Sequence, residues 1–313
     1  MTIHSSDFAI DAGPMTTSDE TRNSRSVTTC NTPAAASSAK ALRIAAAAWF
    51  VVTALGQLMF VIYIAGFYGV ATARGDLAAW SKVMPHGYVA GDTFGNTVVG
   101  FHLLFAALIM LSGAVQLIPA VRRVVPKLHR WNGRFYLFAA LLMSVGGLLM
   151  VGTRGTVGGS SHVAISLNAV LILLFGGMAL RNALARRFAE HRRWALRLFL
   201  AVSGVWFFRI GLMGWIMLNQ GPVGFDPETF TGPFLTFLGF AQYLIPLALL
   251  QAYFYAQDRG TAVARYAMTG TLAVGTLVTL VGTAAATMMM WLPYLQPRAT
   301  ESLSSPFDER HKE

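Results

Sequence analysis

Seven long apolar stretches, separated by short polar connections, dominate this sequence of 313 residues. A helix needs about 20 residues to cross the hydrocarbon core of a bilayer, and segments of this length satisfy their backbone groups internally as helices. The stretches cover residues 44–70, 97–118, 135–152, 162–180, 198–218, 234–256 and 266–292. The sequence therefore predicts an all-α integral membrane protein with seven transmembrane helices, the third and fourth of which are short.

Composition agrees with a membrane location and excludes several classes of protein. Only 12% of the residues are charged, about half the share that soluble domains carry. The net charge of +10 lies in the connections between apolar stretches, so it indicates membrane orientation and no nucleic-acid partner. A single cysteine, Cys30, excludes an intramolecular disulfide and a cysteine-based metal cluster.

The chain divides into three parts. Residues 1–40 are rich in small and polar side chains, which predicts a disordered cytoplasmic tail. Residues 41–292 form the seven-helix transmembrane domain, and residues 293–313 form an extracytoplasmic tail. The first apolar stretch is too long for a cleavable signal peptide and follows a polar segment, which favours a signal anchor.

Basic residues predict the orientation, because cytoplasmic connections carry an excess of lysine and arginine. With the N-terminus inside, the cytoplasmic side holds 17 of the 24 basic residues: Arg22, Arg25, Lys40, Arg43, Arg122, Arg123, Lys127, Arg130, Arg134, Arg181, Arg186, Arg187, Arg192, Arg193, Arg197, Arg259 and Arg265. The predicted location is a bacterial plasma membrane, with the C-terminus outside.

A tandem two-helix repeat covers about residues 97–152 and 161–218. Each copy begins with a histidine, His102 or His162, and reaches a second histidine followed by tryptophan and arginine, at His129 or His191. The two histidines are 27 residues apart in the first copy and 29 in the second. The repeat predicts that helices two to five form a central four-helix bundle.

These four histidines predict a haem site at each side of the membrane. His102 and His162 are expected in the first outer turn of helices two and four, and His129 and His191 near the inner start of helices three and five. Two imidazoles from separate helices at one depth are what axial ligation of b-type haem requires. The pattern therefore indicates up to two haem b groups with the four histidines as iron ligands.

Three arginines are expected to neutralise haem propionates. Arg209 lies within a span, 18 residues beyond His191, which corresponds to about 27 Å of helix and places it near the outer pair. Arg134 and Arg197 lie on the inner side. Arg209 could instead extend toward water or pair with one of two acidic residues, Asp226 or Glu228. The basic connections need no role beyond orientation.

Several features limit other functions. None of the fourteen acidic residues falls within a predicted span, which weakens a proton-coupled transporter without excluding one that uses histidine. The sequence has no phosphate-binding glycine loop, no HExxH and no GxSxG, so ATPase and hydrolase functions have no support.

Two resemblances follow from these motifs. The run Pro126-Lys127-Leu128-His129-Arg130-Trp131-Asn132-Gly133-Arg134-Phe135-Tyr136, followed by Glu190-His191-Arg192-Arg193-Trp194, resembles the bacterial membrane family catalogued as domain of unknown function 2306. The histidine on each of four central helices also looks like the transmembrane b-type cytochromes of the cytochrome b-561 kind. That second resemblance implies two haems and transmembrane electron transfer, although the inner histidines here lie nearer the helix ends.

The leading hypothesis is thus a b-type haem electron carrier or transmembrane reductase embedded in the lipid bilayer. Its electron donor, or a quinone partner, is not specified by the sequence. A transporter or small-molecule-binding membrane protein without haem is the first alternative, and a structural or interaction membrane protein is the second.

Overall fold

The computed structural model describes residues 33–84, 87–154 and 159–295, and within these ranges it is helical without strands. The long helices are α1 (Pro33–Tyr63), α2 (Thr93–Leu117), α3 (Pro126–Arg154), α4 (Gly159–Leu184), α5 (Phe188–Val202), α6 (Gly204–Asn219), α7 (Pro233–Arg259) and α8 (Ala262–Ala286). α1 continues through a π-helical turn, Ile64–Gly69, into the short helix Val70–Ala73, and α8 continues in the same way to Leu295.

Six or seven membrane spans follow from these helices. α1, α2, α3, α4, α7 and α8 are each long and apolar enough to cross a bilayer, and α5 and α6 supply the seventh span if the bend of 48° between them is counted within one crossing. The prediction of an all-α, multi-span membrane protein is confirmed. The third and fourth spans are not short, because they contain 27 and 23 residues. Polar residues at the start of α3 and the end of α4 extend these helices beyond their apolar stretches.

Two helices begin earlier than the sequence predicts. α1 starts at Pro33, inside the segment 1–40 that was expected to be disordered, because its alanine-rich first turns favour helix. α2 starts at Thr93 rather than near residue 97, since Oδ1 of Asp92 accepts a hydrogen bond from the Gly95 N–H (2.8 Å) and caps the helix. The expected tails at residues 1–32 and 296–313 lie outside the described residues.

The seven spans form a ring of six around a central one. Around the ring each helix contacts the next in the order α1, α2, α3, α4, α7 and α8, and α8 packs against α1 to close the ring. The bent pair α5–α6 lies in the middle. Its side chains reach α1, α2 and α4, and Trp206 of α6 is completely buried. Large apolar side chains such as Leu55 and Leu277 are exposed on the outside of the ring, where lipid would lie.

Glycines allow the ring to approach the central span closely. A Cβ atom at Gly282 of α8 would lie 2.7 Å from the carbonyl oxygen of Ile210 in α6. A Cβ atom at Gly56 of α1 would lie 2.6 Å from the Trp206 ring. Small residues at such crossings let helices gain packing energy in a membrane.

The two ends of the bundle differ in charge. We call the end at which α1 begins the basic face; α3, α5 and α8 also begin there. Described basic residues gather at this face, among them Arg122, Arg123, Lys127, Arg130, Arg186, Arg187, Arg192, Arg193 and Arg259. The other end, at which α2, α4 and α7 begin, is called the opposite face.

Substituting Gly282 with alanine should push α8 away from the central span. We expect Gly282→Ala to lower the free energy of unfolding by about 1–3 kcal/mol, the usual cost of overpacking. Thermal unfolding in detergent, followed by size-exclusion chromatography, measures the change. Gly270→Ala in the same helix is the matched control, because a Cβ atom there has no neighbour within 4 Å. Equal unfolding temperatures for the two variants would contradict this packing.

Candidate functional site

The central span is broken halfway along its length. α5 contributes 15 residues and α6 contributes 16, and Ser203 stands between them. The hydroxyl of Ser203 donates to the carbonyl oxygen of Phe199 (2.8 Å), which lies one turn earlier. The break therefore places polar backbone and side-chain groups at the middle of the bundle.

Amide side chains from the surrounding helices meet this break. Nε2 of Gln57 in α1 donates to Oγ of Ser203 (2.9 Å), and Nδ2 of Asn168 in α4 donates to the carbonyl oxygen of Ala201 (3.1 Å). Gln242 of α7 lies against Gly204, where a Cβ atom would be 3.4 Å from the amide oxygen. The sequence analysis missed these amides because it surveyed only charged residues and histidines within the spans. Isolated Gln and Asn residues inside apolar stretches were the available signal.

The structure places His129 and His191 at the same end of the bundle, the basic face. Both lie in the first turn of their helices, α3 and α5, and the two rings are close enough to interact electrostatically. Nδ1 of His191 donates to the carbonyl oxygen of Ala179 in α4 (2.9 Å), if that nitrogen carries the proton. In that tautomer Nε2 of His191 keeps its lone pair, which is how metal-binding histidines are commonly oriented.

A polar network holds the ring of His129. The side-chain amide of Gln116 in α2 donates to Nε2 of His129 (3.4 Å). Asn132 of α3 donates to Oε1 of Gln116 and to the carbonyl oxygen of Ser112, and Oγ of Ser112 donates back to Asn132, each at 2.9 Å. A Cβ atom at Gly133 would lie 2.8 Å from Nε2 of Gln116. The Asn132-Gly133 pair thus positions Gln116 against His129.

His102 lies deeper than the sequence predicts. It is in the third turn of α2 rather than the first, because α2 begins at Thr93. Its ring faces α3, where a Cβ atom at Gly146 would lie 3.9 Å from Nδ1. The guanidinium of Arg209 in α6 is close enough to His102 to interact electrostatically with the ring. Arg209 and His102 therefore lie in the same region of the bundle, and the expectation that Arg209 neutralises a haem propionate stays a prediction.

His162 is placed differently from His102. It lies in the first turn of α4, at a shallow groove whose other lining residues, Val163, Ser166, Leu167 and Val170, belong to the same helix. Among the described residues no contact joins the rings of His102 and His162. Helix α3 lies between α2 and α4 in the ring.

Three of the four histidines have a buried ring nitrogen without a hydrogen-bond partner in the described structure: Nδ1 of His102, Nδ1 of His129 and Nε2 of His162. A buried polar atom without a partner costs about 1–3 kcal/mol. An axial ligand of haem iron needs a free lone pair, which Nδ1 of His102 or Nε2 of His162 has when the other ring nitrogen carries the proton. At His129 the lone pair of Nε2 already accepts from Gln116, so Nδ1 carries the proton in the neutral ring. No group of three or more His, Cys, Asp or Glu residues that could hold a metal ion occurs in the part of the chain that the structure describes.

Arg209 is held among aromatic rings. Its guanidinium lies 5.1 Å from the centre of the Phe60 ring and donates to the carbonyl oxygen of Val205 (3.2 Å), while its buried Nε has no hydrogen-bond partner. Its charge also interacts with the phenols of Tyr63 and Tyr68. Those two hydroxyls approach each other, but neither makes a hydrogen bond of ordinary geometry.

No carboxylate pairs with Arg209 among the described residues. The loop after α6 contains the two acidic residues that the sequence offered as partners. The Glu228 N–H and the Thr229 hydroxyl donate to the carboxylate of Asp226, which lowers the pKa of this exposed group from its ordinary value. Within the described residues, Arg209 thus lies inside the bundle without an acidic partner.

The other two arginines of the predicted sites have different neighbours. Arg134 is exposed, and its guanidinium lies 5.0 Å from the centre of the Trp131 ring. Arg197 lies over Trp194 (4.6 Å) and donates to Oε1 of Gln251 in α7 (2.8 Å). Both contacts direct these side chains to the surface of the basic face.

Replacing Asn132 should weaken the network around His129. We expect Asn132→Leu to lower the free energy of unfolding by about 2 kcal/mol, because Ser112 and Gln116 lose a buried partner. Thermal unfolding in detergent measures it. Asn182→Leu is the matched control, since the side chain of this buried residue donates only to Met178 of its own helix. An equal loss of unfolding free energy in both variants would mean that the network around His129 adds nothing to stability.

Comparisons with known proteins give one family match, and no curated protein and no solved structure matches the chain. The resemblance to b-type cytochromes therefore stays a prediction. Residues 98–225 hold most of α2, all of α3 to α6 and the four histidines, and they match the family model described as "Predicted membrane protein (DUF2306)".

Proposed function

We propose that this protein is a transmembrane electron carrier in which His102, His129, His162 and His191 are axial ligands of b-type haem. The observation that best supports the proposal is the pair of unpartnered buried ring nitrogens, Nδ1 of His102 and Nε2 of His162. Each histidine comes from a different helix of the DUF2306 segment, as bis-histidine ligation requires.

At the basic face the support comes from His191, whose ring can donate to the carbonyl oxygen of Ala179. A hydrogen bond of this kind fixes a ligand ring and raises its basicity. Gln116 donates to Nε2 of His129, so this amide would have to turn away before that nitrogen could bind iron. Arg122 is close enough to interact electrostatically with His129, so a positive charge is available for a propionate.

At the opposite face, Arg209 supplies the main support. A buried arginine without a carboxylate partner is costly in a span and indicates a functional anion nearby. Its interaction with His102 would place the positive charge beside a propionate of the second haem. His162 would have to turn from its surface groove toward the bundle interior to complete this pair.

A cluster of apolar side chains lies in the interior between the two faces. Ile109, Ala139, Ile172 and Leu198 are buried together there and come from four different helices. Haem bound at each end would supply one-electron oxidation and reduction. The apolar side chains between the two ends would exclude water from the path.

Orientation belongs to the same proposal. The basic face would lie in the cytoplasm of a bacterial cell, because short cytoplasmic connections concentrate lysine and arginine. Electrons would then cross the plasma membrane between a site near His191 and a site near His102.

The visible spectrum of detergent-purified protein tests the proposal. We expect a reduced-minus-oxidised spectrum of b-type haem, and His102→Ala and His191→Ala should remove different components of it. The control is His86→Ala, since this histidine is outside the predicted spans, and it should leave the spectrum unchanged.

A folded wild-type protein without haem, after expression with a haem supply, would refute the proposal. If both histidine variants kept the complete spectrum, the assignment of ligands would be wrong even though haem was present.

The break in the central span favours a second candidate, a membrane transporter. Broken helices with polar groups at mid-depth commonly form solute or ion sites, and here Gln57, Asn168 and Gln242 surround the break. Proteoliposomes with a trapped pH indicator and a potassium gradient would show whether protons cross. Gln57→Leu should abolish such a flux, and a flux equal to that of protein-free liposomes would exclude proton transport.

A further inference from the structure

An apolar cavity of about 720 Å³ lies at the opposite face, between the end of the first span and the start of α2. Residues Ile64 to Thr72 form one wall, Gly100 to Ala107 form the other, and the short 3-10 helix Leu77–Lys82 covers it. The volume is within the range typical of small-molecule sites. Neither the histidine pairs nor the break in the central span takes part in it.

The cavity opens between exposed apolar side chains. Phe101 and Leu104 of α2 line it and are 58% and 52% exposed. Both lie within the candidate span Thr93–Leu117, so their exposed surfaces would face lipid. A ligand would therefore enter from the bilayer, which requires an apolar body.

Polar atoms inside the cavity wall indicate the chemistry of the ligand. Tyr68 and Trp80 line the cavity, each is 3% exposed, and neither the Tyr68 hydroxyl nor the Trp80 N–H has a hydrogen-bond partner in the described structure. Trp N–H can only donate, and the tyrosine hydroxyl can also donate. No residue that lines the cavity is charged. These groups suit a neutral ligand with oxygen acceptors, and the aromatic walls suit a planar ring.

We propose that this cavity binds a neutral, lipid-soluble ring molecule of the quinone class, whose carbonyl oxygens accept hydrogen bonds from Tyr68 and Trp80. The tail of the ligand would leave between Phe101 and Leu104. The proposal concerns binding alone and does not depend on haem, so the two proposals can fail separately.

Decylubiquinone is the probe, titrated into the full-length protein in lipid nanodiscs while tryptophan fluorescence is followed. We expect saturable quenching that is largely lost in Trp80→Phe. Tyr68→Phe should weaken binding by about fivefold to tenfold, the effect of one lost hydrogen bond. Absence of saturable quenching in the wild-type protein would overturn the proposal.

A filled cavity gives the sharper test. A side chain at Gly69, which lines the cavity, has open space around its Cβ position. Gly69→Leu should weaken binding by at least about tenfold, whereas Gly270→Leu, which also has open space but lies on α8, should bind as the wild type does. Equal binding by these two variants would overturn the assignment to this cavity.

Competition distinguishes a quinone from an acyl chain. Decylbenzene has a ring and a tail but no oxygen acceptor, so it should displace the probe poorly at equal concentration. If decylbenzene binds the cavity as tightly as decylubiquinone does and displaces it, the cavity is a lipid-tail groove and the proposal is wrong. The visible spectrum of each variant reports any haem independently.

Discussion

Hydrogen bonding at the break in the central helix constrains the positions of the surrounding spans. Where a helix is interrupted in lipid, water cannot satisfy the freed backbone groups, and each unsatisfied group costs several kcal/mol. Here Asn168 reaches the carbonyl of Ala201, and Ser203 bonds both Phe199 and Gln57. Helices α1 and α4 must therefore approach from two sides at this depth. Gly204 leaves room for Gln242 of α7 on a third side.

Polar side chains also satisfy one another by hydrogen bonding at the basic face. Both the oxygen and the nitrogen of the Asn132 amide form hydrogen bonds, to Ser112 and Gln116, and Gln116 in turn bonds His129. The motif that stands out in the sequence is thus a support for one histidine as well as a helix start. At the opposite face the polar groups are fewer and less satisfied, and Arg209 is surrounded mainly by rings. Hydrogen bonds therefore hold the side chains at the basic face, whereas packing of aromatic rings holds Arg209 at the opposite face.

Hydropathy was sufficient to predict six of the spans and their approximate limits, with the bent pair as a possible seventh, because crossing a bilayer requires a minimum apolar length. It could not predict that the fifth span is central, since burial among helices and burial in lipid select the same apolar side chains. Helix rise predicted Arg209 on the side of His102, and the two side chains are near enough to interact electrostatically. The start of α2 was missed because Asp92 caps polar residues that precede the apolar run. The separation of His162 from His102 depends on helix rotation, which spacing in the sequence leaves open.

Closure of the ring between α1 and α8 has a consequence for biogenesis. α1 is synthesised long before α8, yet its largest interface is with α8, and the central span is enclosed only when both are present. In the bilayer Gln57 also lacks its hydrogen-bond partner until Ser203 is synthesised, 146 residues later. Such long-range pairing makes assembly slow and leaves partly built bundles open to misfolding. Cellular quality control would therefore encounter this chain while its ring of spans is still incomplete. Insertion of α7 and α8 would be the step that completes the native bundle.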